Sequence, residues 1–271
     1  MEKYSILDFQ KEFPTDDVCL HYLFMNKYPD LVKTFYKIKG RKGYANAAGD
    51  KQIYPLAGTI FEKSETSLVK WFYAIYLFSQ SKNGVSAKEL ERQLKVTYKT
   101  AWRMAKQIRM LMTDDGEMLS GIVEADETYY GGYRKGGQGG RGKTPILGFV
   151  SREGKVKAKV SRRETHLVLD NIRENVKKGS TIFSDQYGVY KKVVKLGLDY
   201  KHDSINHWKR EYGRGEVHTN TIEGFWSQLK RSINGTYHAV SPEYLQSYVN
   251  EFAFRYSNRS KEIFQILLKR I

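Results

Sequence analysis

The stretch Gly121-Ile-Val-Glu-Ala-Asp-Glu-Thr-Tyr-Tyr130 changes the pattern of the chain from helical to strand-like. Its alternation puts Glu124 and Asp126 on one face of a strand and Val123 and Glu127 on the other. The elements predicted after it are strands at 145–151 and 156–162, a helix at 166–176, a strand at 180–184 and a short helix at 187–196. This order predicts a mixed sheet with helices packed on it, and therefore an α+β fold.

The residues before this strand have helical periodicity. Apolar spacing between Asp8 and Phe24, interrupted at Pro14, predicts two short helices joined at a capped turn. A core helix is predicted over 64–79, with Ser64 or Thr66 as its cap. The basic segment 33–52 between them is interpreted as either a hairpin or an ill-ordered loop. A domain boundary is predicted near 114–119.

Two helical patterns at 87–94 and 99–112 have the spacing of a helix-turn-helix, with Ser86 and Thr97 as caps. The second helix carries Lys99, Arg103 and Lys106 on one face, followed by Arg109, with apolar residues opposite. The alternative is a helical hairpin whose basic face is only solvated. We favour DNA recognition, because the segment has a strong local excess of positive charge.

The whole chain is also basic. Its 271 residues include 46 Lys and Arg against 30 Asp and Glu, a formal charge of +16, which favours a polyanionic partner. The single cysteine excludes an internal disulfide. No apolar run approaches the length of about 18 residues that spans a membrane, and the N-terminus lacks the pattern of a signal peptide. We expect a cytoplasmic, nucleoid-associated protein without a membrane partner.

The segment 131–143 is glycine-rich, basic and free of acidic residues. This composition predicts a mobile loop, which is either a plain linker or a segment that settles on a phosphate backbone. In the second case its cations contact DNA: Arg134, Lys135, Arg141 and Lys143.

Three acidic residues lie where strands and helices place them usefully. Asp126 is in the first strand, Asp185 follows the strand at 180–184, and Glu223 is near the start of a helix that also carries Lys230 two turns later. Hard divalent cations take oxygen ligands, and phosphodiester chemistry is served by two metal ions held by such acids. Each acid also has an ordinary explanation, such as a capping box between Asn220 and Glu223.

Two rival chemistries have weaker support. His202, His207 and His218 match no zinc-binding spacing, and cysteine partners are absent. A serine hydrolase of the nucleophile-elbow type is disfavoured because the chain lacks a Gly-x-Ser-x-Gly motif.

Ordered motifs run through most of the chain, and the most specific is His-Thr-Asn-Thr-Ile-Glu-Gly-Phe-Trp-Ser-Gln-Leu-Lys-Arg at 218–231. The others are Gly-Thr-Ile-Phe (58–61), Lys-Trp-Phe-Tyr-Ala-Ile-Tyr-Leu (70–77), Leu-Lys-Val-Thr-Tyr-Lys-Thr-Ala-Trp-Arg (94–103), Asp-Glu-Thr-Tyr-Tyr-Gly-Gly (126–132), Ser-Asp-Gln-Tyr (184–187), Gly-Thr-Tyr-His (235–238) and Tyr-Val-Asn-Glu-Phe-Ala-Phe-Arg-Tyr (248–256). With these motifs the chain resembles the bacterial insertion-sequence transposases of the Asp-Asp-Glu class and ISXO type, whose catalytic domain is RNase H-like.

The resemblance implies that Asp126, Asp185 and Glu223 bind the catalytic metal, Mg²⁺ or Mn²⁺, and that Lys230 contacts DNA together with the neighbouring Arg231. It implies a reaction that cuts double-stranded DNA at element ends and joins the 3′-hydroxyl to target DNA, with a homodimer or larger assembly on the DNA. Glu124 and Glu127 match no catalytic position of the family.

Family members usually carry a zinc ribbon of paired cysteines before the Gly-Thr-Ile-Phe motif, and this chain has none there. Zinc is therefore not predicted, and the loss of such a site is expected to leave 33–57 loose.

The resulting domain prediction is a helical region at 1–57, a helix-turn-helix region at 58–114 and an RNase H-like catalytic domain at 118–271. The function predicted is that of a metal-dependent DNA transposase. The alternatives are a catalytically inactive DNA-binding regulator and a metal-dependent DNA nuclease.

Overall fold

The chain folds into two compact units. The computed structural model describes residues 4–131, 143–161, 165–185, 188–197, 199–205 and 213–271. Unit 1 comprises Met1–Leu111 together with Ser260–Ile271, and unit 2 comprises Met112–Arg259. The first boundary lies close to the predicted one at 114–119, but residues 260–271 belong to unit 1 and not to the catalytic region in which the sequence prediction included them.

Unit 1 is mainly helical. The predicted helices before residue 114 are present. Ser86 and Thr97 act as N-caps as expected, and Thr15 caps the second helix after the predicted turn. The core helix instead begins after Ser67, and the backbone NH of Val69 donates to Asp16, which replaces a local cap. The helices of this unit are α1 (Ile6–Glu12), α2 (Asp16–Lys27), α3 (Leu68–Gln80), α4 (Ala87–Leu94) and α5 (Tyr98–Met110), and a further helix over Ile263–Lys269 completes it.

That last helix supplies a buried aromatic ring to the core of unit 1. Phe264 is fully buried and lies against Phe9, Phe13 and Tyr76, at ring-centroid distances of 6.0, 6.0 and 5.8 Å. The apolar contacts of Phe264 explain why the C-terminal segment packs in unit 1.

The basic segment after α2 forms a small antiparallel sheet of β1 (Phe35–Lys37), β2 (Tyr44–Asn46) and β3 (Gln52–Ile53). This outcome selects the hairpin from the two interpretations of the sequence. Tyr44 is buried and stacks on Phe24 of α2, with ring centroids 3.9 Å apart and planes 8° apart. The segment expected to be loose therefore has paired strands and an aromatic anchor.

Unit 2 is built on a five-stranded mixed sheet in the order β6-β5-β4-β7-β8. β4 pairs antiparallel with β5 and parallel with β7, and β7 pairs parallel with β8. The last strand, Lys201–Ser204, was not predicted, and the short helix predicted at 187–196 is a 3₁₀ helix over Tyr190–Leu196. The strands are β4 (Ile122–Tyr130), β5 (Thr144–Ser151), β6 (Val156–Val160), β7 (Thr181–Ser184) and β8 (Lys201–Ser204).

Helices cover both faces of this sheet. One apolar cluster includes Val123 and Ala125 of β4 with Ile172 of α6 (Thr165–Asn175). The other includes Val150 of β5 with buried residues of α7 (Asn220–Ser232) and α8 (Pro242–Ser257). In chain order, the helix over Ile263–Lys269 of unit 1 follows α8 and is α9. As the alternation of β4 predicted, its even-numbered acids lie on the α7 face.

α7 runs directly into a π-helical turn over Ile233–Tyr237, and this turn is tied to α8. The Tyr237 hydroxyl lies 3.1 Å from both carboxylate oxygens of Glu251, which is fully buried. The guanidinium of Arg255 donates to the same carboxylate at 2.7 and 3.1 Å.

Among the described residues, no helix is long and apolar enough to cross a membrane.

Candidate active site

Asp126 and Asp185 lie side by side on neighbouring strands. Ala125 of β4 pairs with Ser184 of β7 in parallel register, so the next residue along each chain is one of the two aspartates. Neighbouring strands are about 4.8 Å apart, which brings the two carboxyl groups into electrostatic contact. Burial, and then the negative charges of Asp185 and Glu127, raise the pKa of Asp126 to about 7.

An indole group holds Asp126 in place. Nε1 of Trp226 on α7 donates to Oδ2 of Asp126 at 3.0 Å. The ring reaches this position because Gly148, the β5 partner of Asp126, has no side chain. A Cβ atom at Gly148 would lie 2.5 Å from Cζ2 and Cη2 of Trp226. The glycine therefore lets the tryptophan pack directly against the sheet beside the aspartate.

Glu127 lies on the opposite face of β4. It accepts a hydrogen bond from the hydroxyl of Tyr190 at 3.0 Å, and Tyr190 is fully buried. Burial, followed by the charges of Glu127, Asp126 and Asp185, raises the pKa of this tyrosine well above its ordinary value. The phenol therefore remains protonated and acts as a hydrogen-bond donor beneath the aspartate pair.

Glu124, two residues before Asp126, is fully buried and accepts hydrogen bonds from the start of α7. Its Oε2 accepts from the backbone NH groups of Thr221 (2.8 Å) and Ile222 (3.1 Å), and its Oε1 accepts from the Thr221 hydroxyl at 2.8 Å. Nε of Arg152 and Nδ1 of His218 both lie 3.2 Å from Oε1. This carboxylate joins β4 to α7.

Glu223 and Lys230 are exposed on α7. Glu223 precedes Trp226 by three residues, so the two side chains lie on adjacent parts of one helix face. Its carboxylate accepts a hydrogen bond from the Thr219 hydroxyl at 2.7 Å. The capping box offered as an ordinary explanation for Glu223 would need Asn220 as the N-cap residue, but Thr219 is the N-cap and Asn220 begins the helix.

The two aspartates suit a hard divalent cation, since a partly buried pair of repelling carboxylates is stabilised by a shared positive ion. In the described part of the chain, no group of three or more acidic, histidine or cysteine side chains lies close enough to hold a metal ion. The fold therefore brings Asp126 and Asp185 together through the pairing of β4 with β7, and the assignment of Glu223 as the third ligand stays a prediction.

The residues predicted to bind DNA fall into three groups. Lys99, Arg103 and Lys106 are exposed on α5. Arg109, in contrast, is only 4% exposed, and its guanidinium carbon lies 5.5 Å from the centre of the Phe78 ring, so it belongs to the core of unit 1. Arg231 is exposed on α7, and Lys143, the residue before β5, is partly exposed. The remaining predicted cations, Arg134, Lys135 and Arg141, lie outside the described residues.

Two of the histidines support the strands around the site. Nε2 of His202 in β8 lies 2.9 Å from the hydroxyl of Ser184, the residue before Asp185, and burial lowers the pKa of this imidazole. His218 contacts Glu124, and His207 lies outside the described residues.

Glu124, Trp226 and Tyr190 are the residues around the aspartates that sequence reasoning missed as parts of the site. Alternation did place Glu124 on the face of Asp126, which was the one available signal. The contacts of Trp226 and Tyr190 join residues 100 and 63 positions apart, and no local pattern reports such pairs.

The fold and the site define an α+β protein with paired aspartates at adjacent positions of a mixed sheet. The family model of the ISXO2-like transposase domain matches residues 118–257, and the chain belongs to this family. It is 27% identical over 229 residues to a Halobacterium salinarum protein described as an "uncharacterized protein in transposable element ISH50", and the alignment covers 76% of this chain and 75% of that protein.

A solved structure also aligns with the chain. It is the CryoEM structure of the simian T-cell lymphotropic virus intasome in complex with the PP2A regulatory subunit B56 gamma, with 12% identity, a TM-score of 0.32 and coverage of 66% of each chain. A likeness this distant carries no argument about function.

Proposed function

We propose that this protein is a metal-dependent DNA transposase that cuts DNA at the ends of its element and joins the freed 3′-hydroxyl to target DNA. The observation that carries the proposal is the pair of aspartates at matching positions of β4 and β7 in a chain of the ISXO2-like transposase family. Paired carboxylates bind the hard divalent ions used in phosphodiester chemistry.

The side chains have distinct proposed roles. Asp126, Asp185 and Glu223 hold two Mg²⁺ ions, for which Mn²⁺ can substitute; when bound, these ions supply an activated nucleophile and stabilise the leaving oxygen. Trp226 keeps the Asp126 carboxylate oriented through its 3.0 Å hydrogen bond. Lys230 neutralises a phosphate of the bound strand, and this positioning of charge lowers the barrier.

The proposed catalytic unit is RNase H-like. Three antiparallel strands followed by two parallel ones, with helices on both faces, support this assignment. The sheet also explains the position of the acids, because Asp185 comes from the carboxyl end of the parallel strand β7.

Double-stranded DNA is the proposed partner, both as element ends and as target. The exposed cations of α5 recognise the element ends, with α4 and α5 acting as a helix-turn-helix. Because two ends must be brought together, we propose that the protein acts as a homodimer or larger assembly on DNA.

The test incubates the purified protein with DNA that carries both flanks of its own gene, in Mg²⁺ and in EDTA, and maps the 3′ ends. Asp185→Asn removes one predicted ligand. Asp170→Asn is the matched control, because Asp170 is half-exposed on α6 and paired only with the equally exposed Arg173 among the contacts described. Such surface pairs contribute little to stability.

We expect Mg²⁺-dependent cuts at a repeat boundary that Asp185→Asn abolishes and Asp170→Asn retains. Joining of the 3′ ends to other DNA distinguishes a transposase from a nuclease. Specific binding without cuts in Mg²⁺ would contradict the proposal and favour a DNA-binding regulator.

A further inference from the structure

Glu124 replaces the usual local cap of α7. In most helices the N-cap side chain accepts from the second or third backbone NH group. The N-cap residue here, Thr219, makes no such bond, and its hydroxyl donates to Glu223 instead. The NH groups of Thr221 and Ile222, the second and third residues of α7, donate to Glu124 of β4. The start of this helix is thus held by a strand.

The carboxylate of Glu124 is fully satisfied by the elements around it. An unpaired buried charge costs several kcal/mol, so a fully buried glutamate persists only where donors surround it. Two backbone NH groups and one hydroxyl of α7 donate to it, the guanidinium of Arg152 adds positive charge, and the imidazole of His218 lies 3.2 Å away. The group forms a strong charge-assisted contact at a helix N-terminus, where negative charge is also favoured by the helix dipole.

Among the hydrogen bonds of the described residues, those of Glu124 and of Asp126 join β4 to α7, and the spacings of the two contacts along the strand and the helix are similar. Glu124 and Asp126 are two residues apart on the strand, about 7 Å along it. Their partners on the helix, Thr221 and Trp226, are five residues apart, about 7.5 Å along the axis. The two contacts therefore hold α7 beside β4 at two matched points, and Glu223 lies between them on the helix.

We infer that Glu124 is a positioning residue of the active site: it sets the position of Glu223 relative to Asp126 by fixing the first turn of α7 to β4. This inference rests on the proposed function. The sequence motifs and the alternation of β4 place Glu124 on the face of Asp126 but do not distinguish a positioning role from ordinary burial. Glu124 acts through α7 and not by contact with a reacting group. Substitution of a residue that contacts and orients a metal ligand typically lowers metal affinity by about 10–100-fold.

The test compares Glu124→Gln with Glu251→Gln in the full chain. Both residues are fully buried in unit 2 and both are paired with an arginine, but Glu251 joins α8 to the π-helical turn and not to β4. Three quantities are measured on each variant: hydrogen exchange of the amides at 219–226, the Mn²⁺ dissociation constant by electron paramagnetic resonance, and the Mg²⁺ concentration for half-maximal cutting.

For Glu124→Gln we expect faster exchange at Thr221 and Ile222 and a metal requirement raised by about 10-fold or more, with unchanged DNA affinity. For Glu251→Gln we expect a lower melting temperature but a metal requirement within about twofold of the wild type, since a purely structural loss does not act through the first turn of α7. A metal requirement left unchanged by Glu124→Gln, or raised equally by both variants, would overturn the inference.

Thr221→Val provides a second test that does not depend on the folding of Glu124→Gln. It removes only the hydroxyl that donates to Glu124 at 2.8 Å and keeps the shape of the side chain. We expect a smaller shift in metal requirement in the same direction, and no shift would count against the positioning role. If the wild-type protein neither binds Mn²⁺ nor cuts DNA, the proposed function fails, while the exchange data still show whether Glu124 holds the helix.

Discussion

Gly148→Ala should destabilise the protein, although the same substitution in a strand is usually neutral or favourable. Alanine has a smaller backbone entropy cost than glycine, and the backbone of Gly148 does not need a positive φ. The new Cβ atom, however, would lie 2.5 Å from two carbon atoms of Trp226 and 3.2 Å from Cδ1 of Ile222. The sign of the effect therefore depends on whether the indole ring can move.

The magnitude follows from the required movement. Carbon atoms in contact lie about 3.5–4.0 Å apart, so the ring must retreat by about 1 Å. A retreat of that size takes Nε1 of Trp226, now 3.0 Å from Oδ2 of Asp126, out of hydrogen-bonding range. Overpacking costs about 1–3 kcal/mol, and a lost hydrogen bond to a charged group costs about 1.5–3 kcal/mol. Because one displacement causes both losses, they add to about 2.5–6 kcal/mol. The smaller entropy cost of alanine offsets about 0.5–1 kcal/mol of this, so we expect a net decrease of about 2–5 kcal/mol in the free energy of unfolding.

Urea unfolding followed by circular dichroism, in EDTA, measures this change. Gly224→Ala is the matched control: Gly224 lies in α7, a Cβ atom there would meet no heavy atom within 4 Å, and alanine in a helix is about 1 kcal/mol more favourable than glycine. A double-mutant cycle with Trp226→Phe isolates the contact, because phenylalanine lacks the two clashing carbon atoms. The reasoning is refuted if Gly148→Ala is as stable as the wild type, or if its cost is the same in the Trp226→Phe background.

Three further results are expected. The pKa of Asp126, raised to about 7 by burial and by Asp185, lies above the pKa of the same group in the unfolded chain, so the contribution of Asp126 to stability is present below about pH 4 and is lost as the pH rises through 7. Urea unfolding in EDTA across this pH range should show the wild type losing stability relative to Asp126→Asn. Parallel stability curves for the two proteins would contradict this expectation. Phe264→Ala should lower the free energy of unfolding of unit 1 by about 3–5 kcal/mol, as measured by calorimetry, and a change below 1 kcal/mol would mean that α9 is not part of that core. Lys99→Ala should reduce the slope of log K against log salt for DNA binding by about one unit if this exposed lysine contacts a phosphate, and an unchanged slope would exclude that contact.

The elements with strong periodicity were predictable from the sequence. β4 alternates apolar and polar residues over 123–126, and α5 combines an N-cap threonine with an apolar stripe, so local patterns indicate both elements. The strand β8 was missed because Lys201–Ser204 is short and polar and lies at the edge of the sheet, where only the pairing with β7 defines it.

The candidate site was only partly predictable for a related reason. Asp126 and Asp185 follow strand signals, and a sheet brings such positions together without further information. Glu124 carries no comparable signal, because the donors that satisfy its carboxylate lie almost 100 residues later in the chain. Arg109, named from the sequence only as a further cation of the second helix, shows that charge alone does not report exposure, because its position at the end of α5 turns it against Phe78.

The order in which the two units appear along the chain bears on protein synthesis. The chain leaves unit 1 after α5 and returns to it only with α9, so unit 2 is inserted into unit 1. During translation the first helices emerge early, yet the ring of Phe264 that covers Phe9 and Phe13 is made only after the whole of unit 2. A product that stops within unit 2 is left with an uncovered apolar surface in unit 1, so we expect premature termination to yield an aggregation-prone fragment.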